Sequence, residues 1–446
     1  MRIAIVGAGL GGLATAAKLV EKHIIDIYEK ESVLGGRALT MERIEENYRK
    51  LIAKFEMANA FAYPSLDEIY GNEYKIDLGF HLIGGGKRGA CVKALKGINA
   101  RVDFIGSRLG YIGDKIDYPM LSSLDKLKML PRIIQLMTSR KKTIEEMKKM
   151  SMEEAIDKYG KGKLKTVLKI FPRLITTVND LGKISAGETF FAQRELMGGH
   201  PVVYPVGGLK RISKAFASYI QKNGGNVFLE HEVKNVDIDD RSVVGIDGKE
   251  YDAVILNMPV QHIFKVVKEK HFDNSWVRKI KSLYGTGSMV SYHVLNEIDK
   301  KLLGKSFVFL EKNDGFVGNE LAGMIDFKMA SQHGLLSPKK KYIVQSYVIC
   351  TPEEARNKRK WDELAEAIDK SMEKLMPDYK KHVEWSIYNA IWHLDGVAKT
   401  IDNEKPSVAT PIKNLYIAGD SVNSKGIGIN CAIDSARLIE EKLKSK

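Results

Sequence analysis

The chain has 446 residues, 44% of them hydrophobic and 28% charged, and 70 basic against 56 acidic side chains give a formal net charge of +14. That length exceeds one ordinary hydrophobic core and predicts two or three domains of a globular protein. Three scattered cysteines, Cys91, Cys350 and Cys431, argue against a disulfide framework or a thiolate zinc site, and the lack of any run of 18 apolar residues argues against a transmembrane helix.

The apolar start Arg2–Val6 stops at Gly7 and reads as a strand, not a signal peptide, so a reducing, cytoplasmic location is expected. The positive charge suits nucleic acid, anionic lipid or an acidic ligand, or else a solvated Lys/Glu surface. The lysines form no dense block interleaved with aromatics, so no nucleic-acid partner is expected.

Residues 2–30 read as strand, Gly-rich turn, helix and strand, one βαβ unit, with the helix over about 11–21 and the second strand over Ile24–Tyr28. An amphipathic helix is expected over 41–58. A helical tract follows over 121–138, interrupted by Pro131, with Arg140, Lys141 and Lys142 beyond it, and another spans 145–180. After Gly207-Gly208 a helix runs to Tyr219. Strands are expected at Val227–Leu229, Val233–Ile238, Tyr251–Leu256, Met289–Leu295, Ser306–Leu310 and Tyr342–Cys350, then a helix over Trp361–Met376. The end reads as a strand over Asn414–Ala418, a loop, and a helix over about 427–443.

The chemistry concentrates at the two ends. Gly7-Ala8-Gly9-Leu10-Gly11-Gly12 is a GxGxxG that follows a strand and opens a helix. Gly7 permits the turn, Gly9 a close backbone approach to a pyrophosphate, and Gly12 the packing of helix on sheet. The helix N-terminus offers free N–H groups to phosphate. Glu29 ends the second strand, where a carboxylate can accept hydrogen bonds from a ribose; it suits FAD or NAD and disfavours NADP. Gly35-Gly36-Arg37 adds a guanidinium within reach of the same pyrophosphate. Near the C-terminus a strand ends in Gly419-Asp420, and Gly426-Ile427-Gly428-Ile429-Asn430 opens the last helix. Asp420 can meet a ribitol hydroxyl, and the second helix N-terminus can face negative charge on a flavin. A chain that binds only NAD has no evident need of this second site, so the pair of ends points to FAD.

Those segments, with Asp77-Leu78-Gly79-Phe80-His81 and Tyr204-Pro205-Val206-Gly207-Gly208, resemble the flavin amine oxidase superfamily. Within it they look like the phytoene desaturase, carotenoid isomerase and retinol saturase branch, and secondarily like protoporphyrinogen oxidases. The resemblance implies non-covalent FAD, with Glu29 on the adenosine ribose, Arg37 near the pyrophosphate and the Val233 backbone on the adenine. It also implies Asp420 and Ile429 at the ribityl chain and flavin ring. The stretch from Arg37 to Asp77 is longer than the family pattern, and Gly84-Gly85-Gly86 is unfamiliar.

His81 is a candidate to face flavin or substrate, against the plainer role of a core histidine bonded to a backbone carbonyl. His200, Trp392 and His393 are further candidates to line the substrate cavity, and Cys431 reads as a small buried residue. The 121–142 tract reads either as a membrane-surface helix or as core helices lining an apolar tunnel.

The expected fold is α/β: a discontinuous Rossmann-type FAD domain from 1–80, 201–262 and 395–446, and a mixed α+β substrate domain from 81–200 and 263–394. The expected function is an FAD-dependent oxidoreductase acting on C–C or C=C bonds of a small apolar, polyisoprenoid or carotenoid-like substrate. An amine or porphyrinogen oxidase, and a non-catalytic membrane-surface flavoprotein, are the alternatives.

Overall fold

The computed structural model describes residues 1–42, 44–69, 73–80, 82–138, 146–196 and 202–444. Its first sheet is built from short strands that are apolar apart from Arg2, Asp26 and Asn226, and the central ones are buried nearly throughout, the pattern of strands covered on both faces. Five parallel strands lie in the order Asn226–Phe228, Ile24–Tyr28, Arg2–Val6, Ala253–Leu256 and Leu415–Ile417. The helices Leu10–Leu19 and Ile429–Lys444 pack on each other beside it, and Lys210–Lys222 also packs on the first of them. The N- and C-terminal segments therefore share one α/β layer.

A mixed eight-stranded sheet forms the second part, in the order Met57–Tyr63, Val383–Ile391, Gly287–Leu295, Tyr342–Cys350, Glu320–Asp326, Ser306–Lys312, Leu109–Ile112 and Ile116–Asp117. Only the pairing of Ser306–Lys312 with Leu109–Ile112 is parallel. Its central strands are buried along their whole length, yet their side chains divide by the two-residue period of a strand. Val344, Val348 and Cys350 join Phe309, Leu364, Ile368 and Met372 in a core beneath the helix Trp361–Leu375. Ile343, Tyr347 and Ile349 face the other way, into the core shared with the five-stranded sheet. This second face, with Met324, is the one turned toward the site.

Several sequence expectations change. The helix expected over 41–58 is Ile44–Lys54, and the chain then turns at Glu56, at φ +54°, into the strand Met57–Tyr63. That strand, allotted from sequence to the FAD domain, hydrogen-bonds to Val383–Ile391 in the eight-stranded sheet. It alternates Ala58, Ala60 and Ala62 with larger residues and not apolar with polar, so the pattern of a half-buried strand is missing and the free edge of a large sheet decides its conformation. The strands Glu320–Asp326 and Val383–Ile391 were likewise not anticipated. The tract 145–180 is not one helix. Ser151 caps Met152–Tyr159 in a reciprocal box with Glu154, and Gly160 and Gly162 separate that helix from Lys163–Thr176. Pro131 lies inside the continuous helix Ser123–Thr138, removing one backbone bond without ending it. Residues 140–142 lie outside the described residues. The strand expected over Val233–Ile238 begins only at Val236. No helix among the described residues is long and apolar enough to cross a membrane.

Candidate functional site

The Gly-rich loops meet backbone to backbone. Gly35 N–H donates to Ala8 O at 3.0 Å, and Gly9 and Gly35 pair as a parallel bridge. A β-carbon on Gly36, at φ +57°, would stand 3.3 Å from Gly9 Cα, and one on Gly9 would stand 2.7 Å from Asn257 Nδ2. A β-carbon on Gly12 would lie 2.3 Å from Gly7 O, so Gly12 is the point where the helix rests on the turn. The helix Leu10–Leu19 starts at Gly9 with no side chain capping its first N–H groups. Uncapped donors at a helix N-terminus, beside loops stripped of β-carbons, fit a pyrophosphate.

These loops line a cavity of about 850 Å3 that also takes in Glu29, Gly36, Arg37, Val233, Gly419, Asp420 and Ile429. Gly7, Gly9, Leu10 and Gly11 line it too. Ala8 is buried behind the loop, where its N–H donates to Glu29 Oε2 at 2.7 Å, and Gly12 does not reach the cavity. Glu31 N–H donates to Glu29 Oε1 at 3.0 Å, so backbone donors hold both carboxylate oxygens in place. Burial raises the Glu29 pKa despite those two bonds.

Arg37 lines the cavity, and its guanidinium is also tied to the C-terminal half of the site. One terminal nitrogen donates to Asp420 Oδ1 at 2.7 Å, and the other donates to the carbonyls of His393 at 2.8 Å and Leu394 at 3.2 Å. Asp420 also accepts from Gly396 N–H at 3.0 Å. Burial opposes ionisation of Asp420, but Arg37 and Lys405 outweigh it and lower the pKa. Asp395, buried in the same group, is pushed up by burial and by Asp420. The Arg37–Asp420 pair thus bolts the N-terminal loop to the C-terminal strand end. Asn430, next to Ile429, adds a second bolt: its Oδ1 accepts from Cys91 N–H at 2.9 Å and its Nδ2 donates to Gly84 O at 2.6 Å.

Away from the glycines the cavity becomes aliphatic. The helix Lys163–Thr176 contributes Leu164, Val167, Leu168, Phe171, Leu174 and Ile175, and Leu82, Leu109, Met120, Leu121, Met129 and Met324 complete the walls. Phe80 and Tyr347 also line the cavity and pack with ring centroids 4.2 Å apart. The acidic residues lining the cavity are Glu29, Glu31, Glu56, Glu232, Asp395 and Asp420. Every one belongs to the dinucleotide side or to its cover.

His81 and His200 lie outside the described residues. Trp392 packs against the core under Trp361–Leu375, with the Arg356 guanidinium 5.3 Å from its ring, and is not part of the cavity wall. Cys431 is buried and does not line the cavity either. His393 does line it, and Nε2 meets Glu56 Oε2 at 2.7 Å.

Three contributors escaped the sequence reading. Asn257 follows the strand Ala253–Leu256, and its N–H donates to Val6 O at 2.8 Å, while its side chain fills the space left by Gly9 and Gly11 and its backbone carbonyl the space left by Gly7. An Asn directly after a predicted strand was the available signal. Lys54, paired with Glu31, and Glu56 bring the end of the helix Ile44–Lys54 over the cleft. Glu56, His262 and His393 hold ligand-type atoms within 4.8 Å of one another. Lys265, 3.6 Å from Glu56, adds positive charge there, and Arg37 lowers both imidazole pKa values after burial. That field disfavours a cation.

Residues 110–439 match the flavin containing amine oxidoreductase family, and residues 5–95 match the NAD(P)-binding Rossmann-like domain. The chain belongs to the flavin containing amine oxidoreductase family, and with its two-ended dinucleotide cleft it is an FAD-dependent member of that oxidoreductase superfamily. An oxidoreductase from Methanosarcina mazei shares the fold, with a TM-score of 0.75 at 19% identity, covering 99% of this chain and 100% of that one. An uncharacterised protein of Methanocaldococcus jannaschii is 28% identical over 268 residues, 58% of each chain. Zeta-carotene desaturase from Synechocystis is 55% identical over 38 residues, 8% of each. The chain thus spans 58% or less of these curated relatives.

Proposed function

We propose that the protein is an FAD-dependent oxidoreductase acting on a C–C or C=C bond of a long apolar substrate of polyisoprenoid or carotenoid-like type. The observation that carries this reading is one cavity joining the dinucleotide cleft to an aliphatic chamber whose walls hold no carboxylate among the described residues. A polyamine would have to leave water for that chamber without a counter-charge, which is costly. An isoprenoid chain gains about 25 cal/mol for each Å2 of apolar surface it buries there.

Bound FAD supplies hydride exchange with the substrate. The chain's own residues bind, orient and dry. Glu29 and Val233 address the adenosine end, the Leu10–Leu19 N-terminus receives the pyrophosphate, and Asp420 and Ile429 address the ribityl and ring end. The packed rings of Phe80 and Tyr347 form part of the cavity wall against which the reacting segment of the substrate is oriented. Leu124 and Leu127, 59% and 64% exposed on the helix that also supplies Met129 to the chamber, support contact with a lipid surface where such a substrate resides.

Amine oxidation is the second reading, carried by the match of residues 110–439 to the flavin containing amine oxidoreductase family. Anaerobic incubation of FAD-loaded protein with polyprenoids, carotenoid precursors and amines decides between them. Bleaching of the flavin by an isoprenoid, or alteration of one by pre-reduced protein, supports the first reading. Bleaching by amines alone, with peroxide release in air, replaces it with the second.

A further inference from the structure

We propose that the substrate chamber is built for an amphipathic molecule, with an apolar tail inside and an anionic phosphate or diphosphate head held at the mouth by Arg108 and Lys126. This rests on the apolar-substrate reading above and adds the head group to it.

Among the described residues, Arg108 and Lys126 are the charged side chains on the aliphatic side of the cavity, and both are exposed, so they stand at its opening and not in its interior. The local fold brings them to one rim. Arg108 immediately precedes the strand Leu109–Ile112, and Met120 N–H donates to Leu109 O at 2.8 Å, which lays the 118–122 segment beside that strand. The helix Ser123–Thr138 starts directly afterwards, with Lys126 in its first turn and Met129 turned into the chamber.

The nearby carboxylates do not neutralise this rim. Asp117 and Asp125 both pair with Lys163, at 3.4 and 3.3 Å, so that with Arg108 and Lys126 three cations stand against two carboxylates. Arg108 and Lys126 have no acidic partner among the described residues. A rim that is net positive among the described residues, at the lip of an otherwise apolar chamber, attracts an anionic head and repels a cationic one. Arg108 and Lys126 keep their own hydration while the tail is buried, so neither has to be desolvated to bind. A neutral hydrocarbon would gain nothing from them.

The test uses the FAD-loaded full chain and isothermal titration with three probes: geranylgeranyl diphosphate, geranylgeraniol and inorganic pyrophosphate. The diphosphate is expected to bind at least about tenfold more tightly than the alcohol, as one charge-assisted contact provides, with the preference shrinking as salt is added. The double variant Arg108→Ala/Lys126→Ala is expected to bring the two affinities together while leaving that of the alcohol unchanged. Both positions are exposed, and an unchanged melting temperature verifies the fold. Equal affinity for alcohol and diphosphate in the unaltered protein, or a preference that survives the double variant, overturns the head-group site. Inorganic pyrophosphate binding as tightly as the lipid diphosphate also overturns it, because the anion would then bind without the chamber. If neither isoprenoid binds, the apolar-substrate reading falls as well.

Discussion

The guanidinium of Arg37 donates to Oδ1 of Asp420 at 2.7 Å, joining residues 383 positions apart in sequence. Both groups are largely withdrawn from water, and each offsets much of the cost of withdrawing the other's charge. Removing one partner of such a pair typically costs about 3–5 kcal/mol, because the remaining charge is left buried and uncompensated. Asp420→Ala is therefore expected to lower the melting temperature of the FAD-free protein and to weaken FAD binding. A variant that binds FAD with unchanged affinity in fluorescence titration would show that the clamp does not shape the cleft.

Gly12 and Gly97 give a paired test of the glycine loop. A β-carbon at Gly12 must displace backbone, since Gly7 O lies 2.3 Å away, whereas nothing lies within 4 Å of one at Gly97. Gly12→Ala is expected to destabilise by about 1–3 kcal/mol. Gly97→Ala, in the helix Ala90–Gly97, is expected to be neutral or to stabilise by up to about 1 kcal/mol. Denaturant unfolding measures both, and equal effects would contradict the packing assigned to Gly12.

Asp77 is fully buried and accepts from Thr40 Oγ1 and Tyr204 OH, each at 2.6 Å. Burial pushes its pKa up from 3.8 to about 6, against those two bonds. Between these values the folded protein holds the proton more tightly than the unfolded chain. The contribution is complete below pH 3.8 and is lost as pH rises through 6, a change on the order of 3 kcal/mol. Asp77→Asn cannot titrate, so the difference in stability between the variant and the unaltered protein should change across that window. A constant difference from pH 4 to 7, measured by denaturant unfolding, would remove Asp77 from the pH response.

Phe171 lines the chamber from the helix Lys163–Thr176 and is only partly buried. Phe171→Trp adds volume inside the chamber and leaves the glycine loops alone. FAD binding is expected to persist, while kcat/KM falls about tenfold or more for a long isoprenoid relative to a shorter one, the scale set by about 1.4 kcal/mol of lost transition-state binding. Equal effects on long and short substrates would place the tail elsewhere.

The local patterns carry the dinucleotide half far into the sequence. Gly7, Gly9 and Gly12 have no substitute at their spacing, and the flanking apolar runs need the strand and helix they form, so the βαβ unit is readable without the rest of the chain. The Gly-Asp strand end at Gly419-Asp420 is readable for the same reason. What tertiary structure decided is everything that depends on a partner distant in sequence. The strand Met57–Tyr63 exists because Val383–Ile391 offers an edge. Arg37, expected near a phosphate, lines the cavity and also meets Asp420. Asn257, Glu56 and the His262–His393 pair gain their places only from the folding of separate segments onto the cleft. The aliphatic chamber has no sequence signature, because its lining residues are ordinary core residues until the packing leaves a space between them. The sequence determined that a flavin site forms from the two ends of the chain; the fold determined what stands beside it, since side-chain chemistry is local while cavities and charge pairs belong to the packed whole.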